Sequence, residues 1–450
     1  MKKIEKRAIM CLLLALVLLG GLCYFIYEDW HEGGAWAVYE GNRDVYADGD
    51  LAKGALYDVN GNLLMRNTSD GMQFNEDYYV RCAMMHITGD KDNNVITGSN
   101  RAFVERMIGY DFINGIYTLN NEGENVSLTL NSNICATAFE AMNGRKGTVG
   151  VYNYKTGQIV CMVSTPTFDP ANPPADPPDG SYINRFISAT FAPGSTFKLV
   201  TAAASIETLE NAYSYTWDCT GSVDYDHGDK VTDVSAHGTV EIQDALDVSC
   251  NCDIGKVAEQ LGGDMIKKYV KKTLLDESLN IDGIETKAGT FDYPDSGVDL
   301  AWTGIGQWHD MVNPCNLMVY MGAIANDGTA VLPTILSPTN IVDEKLKEVK
   351  TAALKKKDMI DPATAASLRE MMRNNVESHY GGQNAFPGLE LCAKTGTAEV
   401  EGQSAPNSWF VGFLDDSENP YAFVVLVEEG GYGIDAAGSV ANKVLQDLVN

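Results

Sequence analysis

A chain of 450 residues is long enough for two or three domains, and 45% hydrophobic with 21% charged residues is the balance of a globular protein. Its net charge of −28 and pI near 4.5 argue against nucleic acid as a partner, since phosphate recognition needs basic patches. The same charge suits a soluble domain kept apart by self-repulsion.

Lys2, Lys3, Lys6 and Arg7 precede an uncharged apolar run from Ala8 to Tyr27. That run is long enough to span a bilayer as a helix. Glu28, Asp29 and Glu32 follow it. The positive-inside rule then leaves residues 1–7 in the cytoplasm, makes 8–27 the transmembrane span, and puts everything after Tyr27 outside the cell membrane. A cleaved signal peptide fits less well, because the run is long and no small-x-small site follows. A lipoprotein fits poorly too, with Leu22 ahead of Cys23 where a small residue is expected. The charge asymmetry disfavours a buried soluble helix.

Residues 28–50 are polar and stalk-like. From Gly54 a strand, an Asn60-Gly61 turn and a second strand spell a hairpin. Short helical patterns near 101–109 sit among Gly- and Asn-rich turns. Val126 to Leu130 alternates as a strand, and Ile134 to Met142 reads as a helix. At Gly147 the texture changes to strand (148–152), a Lys155-Thr156-Gly157 turn and a returning strand (158–163), then a Pro/Asp-rich loop from 166 to 180. Past residue 195 come a buried helix, loop with short strands over 211–240, and helices over 240–248, 253–261 and 317–324. An amphipathic helix over 362–376 has Asp361 placed to cap it. The tail reads as three strands (391–394, 408–413, 421–428) and a closing helix from about 437 to 449. Helices in the middle with strands at both ends predict an α/β fold of α+β type. Its mostly antiparallel sheet is assembled from residues distant in sequence and flanked by helices.

Ten cysteines are scattered along the chain, two of them in the span. An exported domain can form disulfides, but no framework or metal spacing is visible. Cys250-x-Cys252 is too short for a zinc knuckle and has no histidine cluster beside it in sequence. Most of the cysteines read as small buried apolar residues, and no metal or cofactor is expected.

Ala192-Pro193-Gly194-Ser195-Thr196-Phe197-Lys198 is the stretch with chemistry in it. Pro193 and Gly194 break the chain, and Phe197, Leu199, Val200, Ala202–Ala204 and Ile206 continue as a buried helix. Ser195 then lies at a helix N-terminus, with Lys198 one turn on along the same face. A serine hydroxyl needs an adjacent base, and a lysine among apolar residues can have its pKa lowered enough to serve. Alone, the stretch reads first as a cap serine and a solvated lysine. Two further motifs follow in order: Ser249-Cys250-Asn251 on a loop between helices, and Lys394-Thr395-Gly396-Thr397 on a tail strand. Second copies exist. Lys155-Thr156-Gly157 precedes the serine and has ordinary turn chemistry. Ser278-Leu279-Asn280 follows a charged stretch and reads as surface.

The ordered trio is the signature of active-site serine penicillin-binding proteins and class A β-lactamases. Over 147–450 the chain resembles the transpeptidase domain of class B penicillin-binding proteins. The resemblance extends to Phe168-Asp-Pro-Ala-Asn172, Asn184-Arg185, His237-Gly238-Thr239, Gly304-Ile-Gly-Gln307, Ala323 to Thr329 and Ser408 to Phe413. Gly54 to Asp58 with Asn60-Gly61 resembles the opening of that family's non-catalytic pedestal, here 28–146 with its stalk, mixed or mostly β. Lys53 and Asn131 depart from the family's usual arginine and aspartate.

The resemblance implies the following roles. Ser195 attacks a D-Ala-D-Ala-like stem peptide and Lys198 takes its proton. Ser249 relays the proton toward the leaving amine, and Asn251 holds the substrate amide. Lys394, Thr395 and Thr397 receive the substrate carboxylate. Gly396 lets substrate lie against the strand edge, and the N–H groups of Ser195 and Thr397 form the oxyanion hole. Gln307 and Trp409 are candidate wall residues. Implied partners are peptidoglycan stem peptides, β-lactams, a polytopic lipid-II-polymerising glycosyltransferase and other elongation or division proteins. The rival readings are a D,D-carboxypeptidase or β-lactamase using the same serine, with Glu277 the tempting deacylating residue, and a mainly structural β-lactam receptor or scaffold.

Overall fold

A computed structural model describes residues 2–38, 54–68, 71–107, 125–337 and 354–450. Most of the stalk (39–50), Lys53 and the stretch 108–124 lie outside them. One helix runs from Lys2 to Val38. Its Lys3–Trp30 portion has a mean hydropathy of 2.7 and buries none of it, so it is long and apolar enough to cross a membrane.

The Asn60-Gly61 hairpin forms as its turn chemistry predicts. β1 (Ala55–Tyr57) pairs antiparallel with β2 (Leu63–Thr68), which pairs with β3 (Gly71–Phe74). β4 (Val126–Ser127) joins β1 in parallel. Buried Asp58 fixes the turn. Its carboxylate accepts the N–H groups of Asn60, Asn62 and Ser132 and the Ser132 hydroxyl. The hairpin is thereby tied to the Ser132–Met142 helix, which Asn131 caps with its own side chain.

β5 (Gly147–Asn153) and β6 (Ile159–Thr165) form a second hairpin around the Lys155 turn. Four short strands follow: β7 (Trp217–Cys219), β8 (Ser222–Asp224), β9 (Lys230–Thr232) and β10 (Gly238–Val240). β7 pairs with β10 and β8 with β9. β11 (Asn280–Ile281) with β12 (Ile284–Glu285), and β13 (Thr329–Val331) with β14 (Lys356–Asp358), are small antiparallel ribbons. The tail supplies β15 (Leu391–Ala398), β16 (Asn407–Leu414) and β17 (Tyr421–Val427). The main sheet has the order β15-β16-β17-β5-β6, antiparallel throughout, so chain segments far apart in sequence do close it.

Side chains alternate across this sheet. On one face, Tyr152 lies against Gly322 of the wholly buried Pro314–Ala325 helix, where an added Cβ would stand 1.7 Å from its hydroxyl. On the other face, Gly147 lies against Met142 of the Ser132–Met142 helix. Helices therefore cover both faces. Three sequence expectations shift in detail. Val240 ends β10, and the helix starts at Ile242, because Glu241 and Asp244 form a capping box. The next helix begins at Asn251. Asp361 occupies its cap position without a side-chain cap bond; its own N–H donates to Glu207 at 2.6 Å.

Candidate active site

Gly194–Thr196 form a single 3-10 turn that runs into the Lys198–Thr208 helix. Gly194 has φ +53, and a Cβ there would meet the Thr397 carbonyl at 2.7 Å. Its N–H donates to the Gly306 carbonyl at 2.8 Å. Gly306 is constrained in turn, since a Cβ on it would sit 2.2 Å from the Gly194 carbonyl. The glycines at 194 and 306 thus let two backbones meet behind the serine. Phe197, Leu199, Val200 and Ala202–Ala204 are fully buried, which pins the helix, while Ser195 is half-buried at the lip.

Lys198 is fully buried. Its Nζ donates to the Ser249 carbonyl at 2.5 Å, Ser249 Oγ at 3.2 Å and Asn251 Oδ1 at 2.7 Å. Lys394, also fully buried, donates to the same Ser249 Oγ at 3.1 Å and to the Thr395 carbonyl at 3.3 Å. Burial, then the charge of Lys394, brings Lys198 down to about 7. Burial also brings Lys394 down to about 7, opposed by Asp247. An ammonium in low dielectric is disfavoured, and two so close disfavour each other. Ser249 has φ +56, a conformation that L residues other than Asn and Asp seldom adopt. Asn251 Nδ2 donates to the Thr232 carbonyl at 2.8 Å. Each end of its amide makes one bond, which leaves a second N–H and a second carbonyl lone pair for a substrate amide.

The fold joins Lys198, Ser249, Asn251 and Lys394 in one hydrogen-bonded cluster, with Ser195 on the turn that leads into the Lys198 helix, and it engages the second copies elsewhere. Lys155 is exposed on the β5–β6 turn and donates to Asn326. Ser278 and Asn280 bond Glu285 within their own ribbon. Glu277 is exposed, on a turn whose carbonyl is held by Asn316.

β15 is an edge strand. The Thr395 N–H leaves the sheet and donates to Tyr380 Oη at 3.2 Å. Thr397, two residues on, presents its N–H to the same free edge. Thr395 and Thr397 are half-buried, while Gly396 is buried. A Cβ on Gly396 would meet Thr196 Cγ2 at 2.8 Å and the Pro193 carbonyl at 3.0 Å. The glycine is therefore there for contact with the serine's turn, which corrects the expectation that it clears room for substrate. Trp409, opposite Gly396 in register, is likewise no wall residue. It is fully buried and donates Nε1–H to the Ala192 carbonyl at 2.9 Å, steadying the turn from below. Gln307 is half-buried and lines a 550 Å³ cleft with Lys230, Asp299, Trp302 and Trp308.

Sequence reading missed Tyr380 and Asp233. Tyr380 is a single residue after a helix and carries no signal. Asp233 accepts the N–H groups of Asn251 at 2.7 Å and Cys252 at 3.4 Å, capping the helix that starts at Asn251. The eight cysteines described outside the span are free and buried. Cys219, Asp233, His237 and Cys250, however, each bring a donor atom into one cluster, all within 4.8 Å of one another. These residues, separated in sequence, are gathered by the short ribbons.

The model of the penicillin-binding protein transpeptidase domain matches residues 147–449. The chain belongs to that family. It is a serine D,D-transpeptidase of the class B penicillin-binding kind, as the motifs implied. The peptidoglycan D,D-transpeptidase PbpA of Mycobacterium tuberculosis is 28% identical over 376 residues, 77% of this chain and 75% of that protein. The fold is shared with the D,D-transpeptidase domain of an Eggerthella lenta peptidoglycan glycosyltransferase. That match has TM-score 0.73 and 22% identity, covering 89% of this chain and 98% of that one. It is shared too with penicillin-binding protein A of M. tuberculosis as its penicillin G acyl-enzyme complex. There the TM-score is 0.70 and the identity 22%, covering 89% of this chain and all of that one.

Proposed function

We propose that this penicillin-binding protein cross-links peptidoglycan stem peptides through an acyl-enzyme on Ser195, and that β-lactams acylate the same hydroxyl. The observation that carries the reading is the convergence of Lys198 and Lys394 on Ser249 Oγ at 3.2 and 3.1 Å. Lys198 in its neutral form has a lone pair to take a proton, and Ser249, hydrogen-bonded to both lysines, can pass one on.

Ser195 Oγ attacks the carbonyl of the penultimate D-Ala, and its proton goes to Lys198. The oxyanion lies between the N–H groups of Ser195 and Thr397, the latter on the free edge of β15. The proton then travels through Ser249 to the departing D-Ala amine. The acceptor amine of a second stem peptide attacks the ester and releases Ser195. The Thr395 and Thr397 hydroxyls receive the donor's carboxylate under the positive potential of Lys394, which acts from behind the strand. Substrate adds along the free edge of β15. The reading divides the chain into a cytoplasmic tail (1–7), a span (8–27), a stalk and pedestal (28–146) and a catalytic domain (147–450) lying outside the cell membrane. A polytopic glycosyltransferase and elongation or division proteins are its proposed partners there.

The test is covalent labelling of the full-length protein in detergent by a fluorescent penicillin. Wild type and Lys155→Ala label alike, and Ser195→Ala does not label. A label retained in Ser195→Ala would overturn the assignment.

A further inference from the structure

Under the Ser249–Asn251 turn, four donors come from four separate places: β7, the residue after β9, the residue before β10, and the position preceding the Asn251–Leu261 helix. His237 Nδ1 stands 3.4 Å from Asp233 Oδ2. Cys219 Sγ stands 3.7 Å from each of them. Donors held 2.0–2.3 Å from a tetrahedral zinc ion stand about 3.3–3.8 Å apart, so these separations match three of the six edges of such a tetrahedron, and Cys250 Sγ lies within 4.8 Å of the other donors. Hydrogen bonding accounts for the arrangement poorly, because thiol contacts at that length are weak. The side chain of Asp233 is 2% exposed, and Cys219 and Cys250 are buried. His237 Nε2 lies 3.3 Å from Ser235 Oγ. A ligating imidazole is commonly oriented by such a bond on its other nitrogen. The ribbons that carry these residues are three residues long, too short to hold their own geometry.

We propose that Cys219, Asp233, His237 and Cys250 bind one divalent cation of the zinc class, and that this ion fixes the turn carrying Ser249 and Asn251. Two thiolates and an imidazole select zinc over magnesium or calcium. On binding, the two thiols release their protons to solvent, and nothing is oxidised or reduced. Four protein donors close the tetrahedron, which leaves no position for water or substrate and makes the ion structural. Its lever is short. Asp233 caps the turn through the Asn251 N–H, and Cys250 lies between Ser249 and Asn251. Cation binding is independent of the catalytic reading; the effect on acylation rests on it.

The full-length protein, purified in detergent without chelator or a metal-affinity step, is analysed for bound metals by mass spectrometry. One zinc per chain is expected. His237→Ala and Cys219→Ser lower it to about a tenth or less, whereas Cys252→Ser and Cys392→Ser retain it. Stripping wild type with a chelator slows penicillin acylation about tenfold or more, and zinc restores it while magnesium does not. Wild type that holds no zinc even after equilibration with a zinc salt overturns the site, as does zinc that persists in both ligand variants. Should those variants fail to fold, the stripped wild type decides. Zinc removed without change in acylation overturns the clamp and leaves the site standing. Loss of labelling at Ser195 with zinc still bound contradicts the catalytic reading instead.

Discussion

The ammonium of Lys198 has three protons and three acceptors, two of them on Ser249 and one on Asn251. Losing one proton frees a lone pair in the place where a hydroxyl proton can be taken up. Because burial and Lys394 hold its pKa at about 7, the acylation rate should rise with pH through that value. Removing the charge, as in Lys394→Ala, relieves the repulsion and should move the inflection to higher pH. Stopped-flow acylation across pH 5.5–9 reads both, and a flat profile in wild type would discard Lys198 as the base. Ser249→Ala removes the hydroxyl on which both lysines converge. Acylation should fall by about 10²-fold or more, with the fold unchanged by circular dichroism. At this scale the sequence was legible for a reason: three short motifs carry side chains whose chemistry is unusual together. Asp233 and Tyr380 were not legible, since each acts by meeting a backbone N–H that only the fold delivers.

At the level of elements, the site is a contact between the Gly194–Thr196 turn and the edge strand β15, with Trp409 beneath. Gly396→Ala would push a methyl into Thr196 Cγ2 and the Pro193 carbonyl. Such overpacking costs about 1–3 kcal/mol, and here it separates the turn from the strand that carries Thr397. Thermal unfolding should show that loss together with slower acylation. Unchanged labelling would mean that the contact does not set the geometry. The strand pattern of β15–β17 and the β5–β6 turn were readable from alternation and turn residues. The inward direction of Gly396 was not, because period two does not say which face meets which neighbour.

Across the whole molecule, the N-terminal region is joined to the catalytic body by buried polar links. His86, on the Tyr78–Thr88 helix, bonds the Ser181 carbonyl at 2.8 Å ahead of the nucleophile turn. Burial pushes its pKa down to about 4, against the Ser181 carbonyl, and Arg185 adds to the fall. Below the unfolded value of about 6.5, the unfolded chain takes a proton that the folded chain refuses. Stability is therefore present above that pH and declines as pH falls toward 4, by up to about 3 kcal/mol. Denaturant unfolding at pH 7 and pH 4.5 should show a loss that His86→Gln reduces; an equal loss in the variant would place the sensitivity elsewhere. The long apolar N-terminal helix was legible from hydropathy alone. The metal-like cluster was not, because its four residues span 219–250 and meet only when the ribbons fold.

The central claim is that one serine, Ser195, carries the acyl group and releases it slowly. Intact-mass analysis of the full-length protein incubated with penicillin, followed over time, reads nucleophile, stoichiometry and deacylation at once. A single penicilloyl adduct per chain, mapped to Ser195 and persisting for minutes or longer, is the predicted result. An adduct on another residue, or penicillin consumed with no lasting adduct, would contradict it.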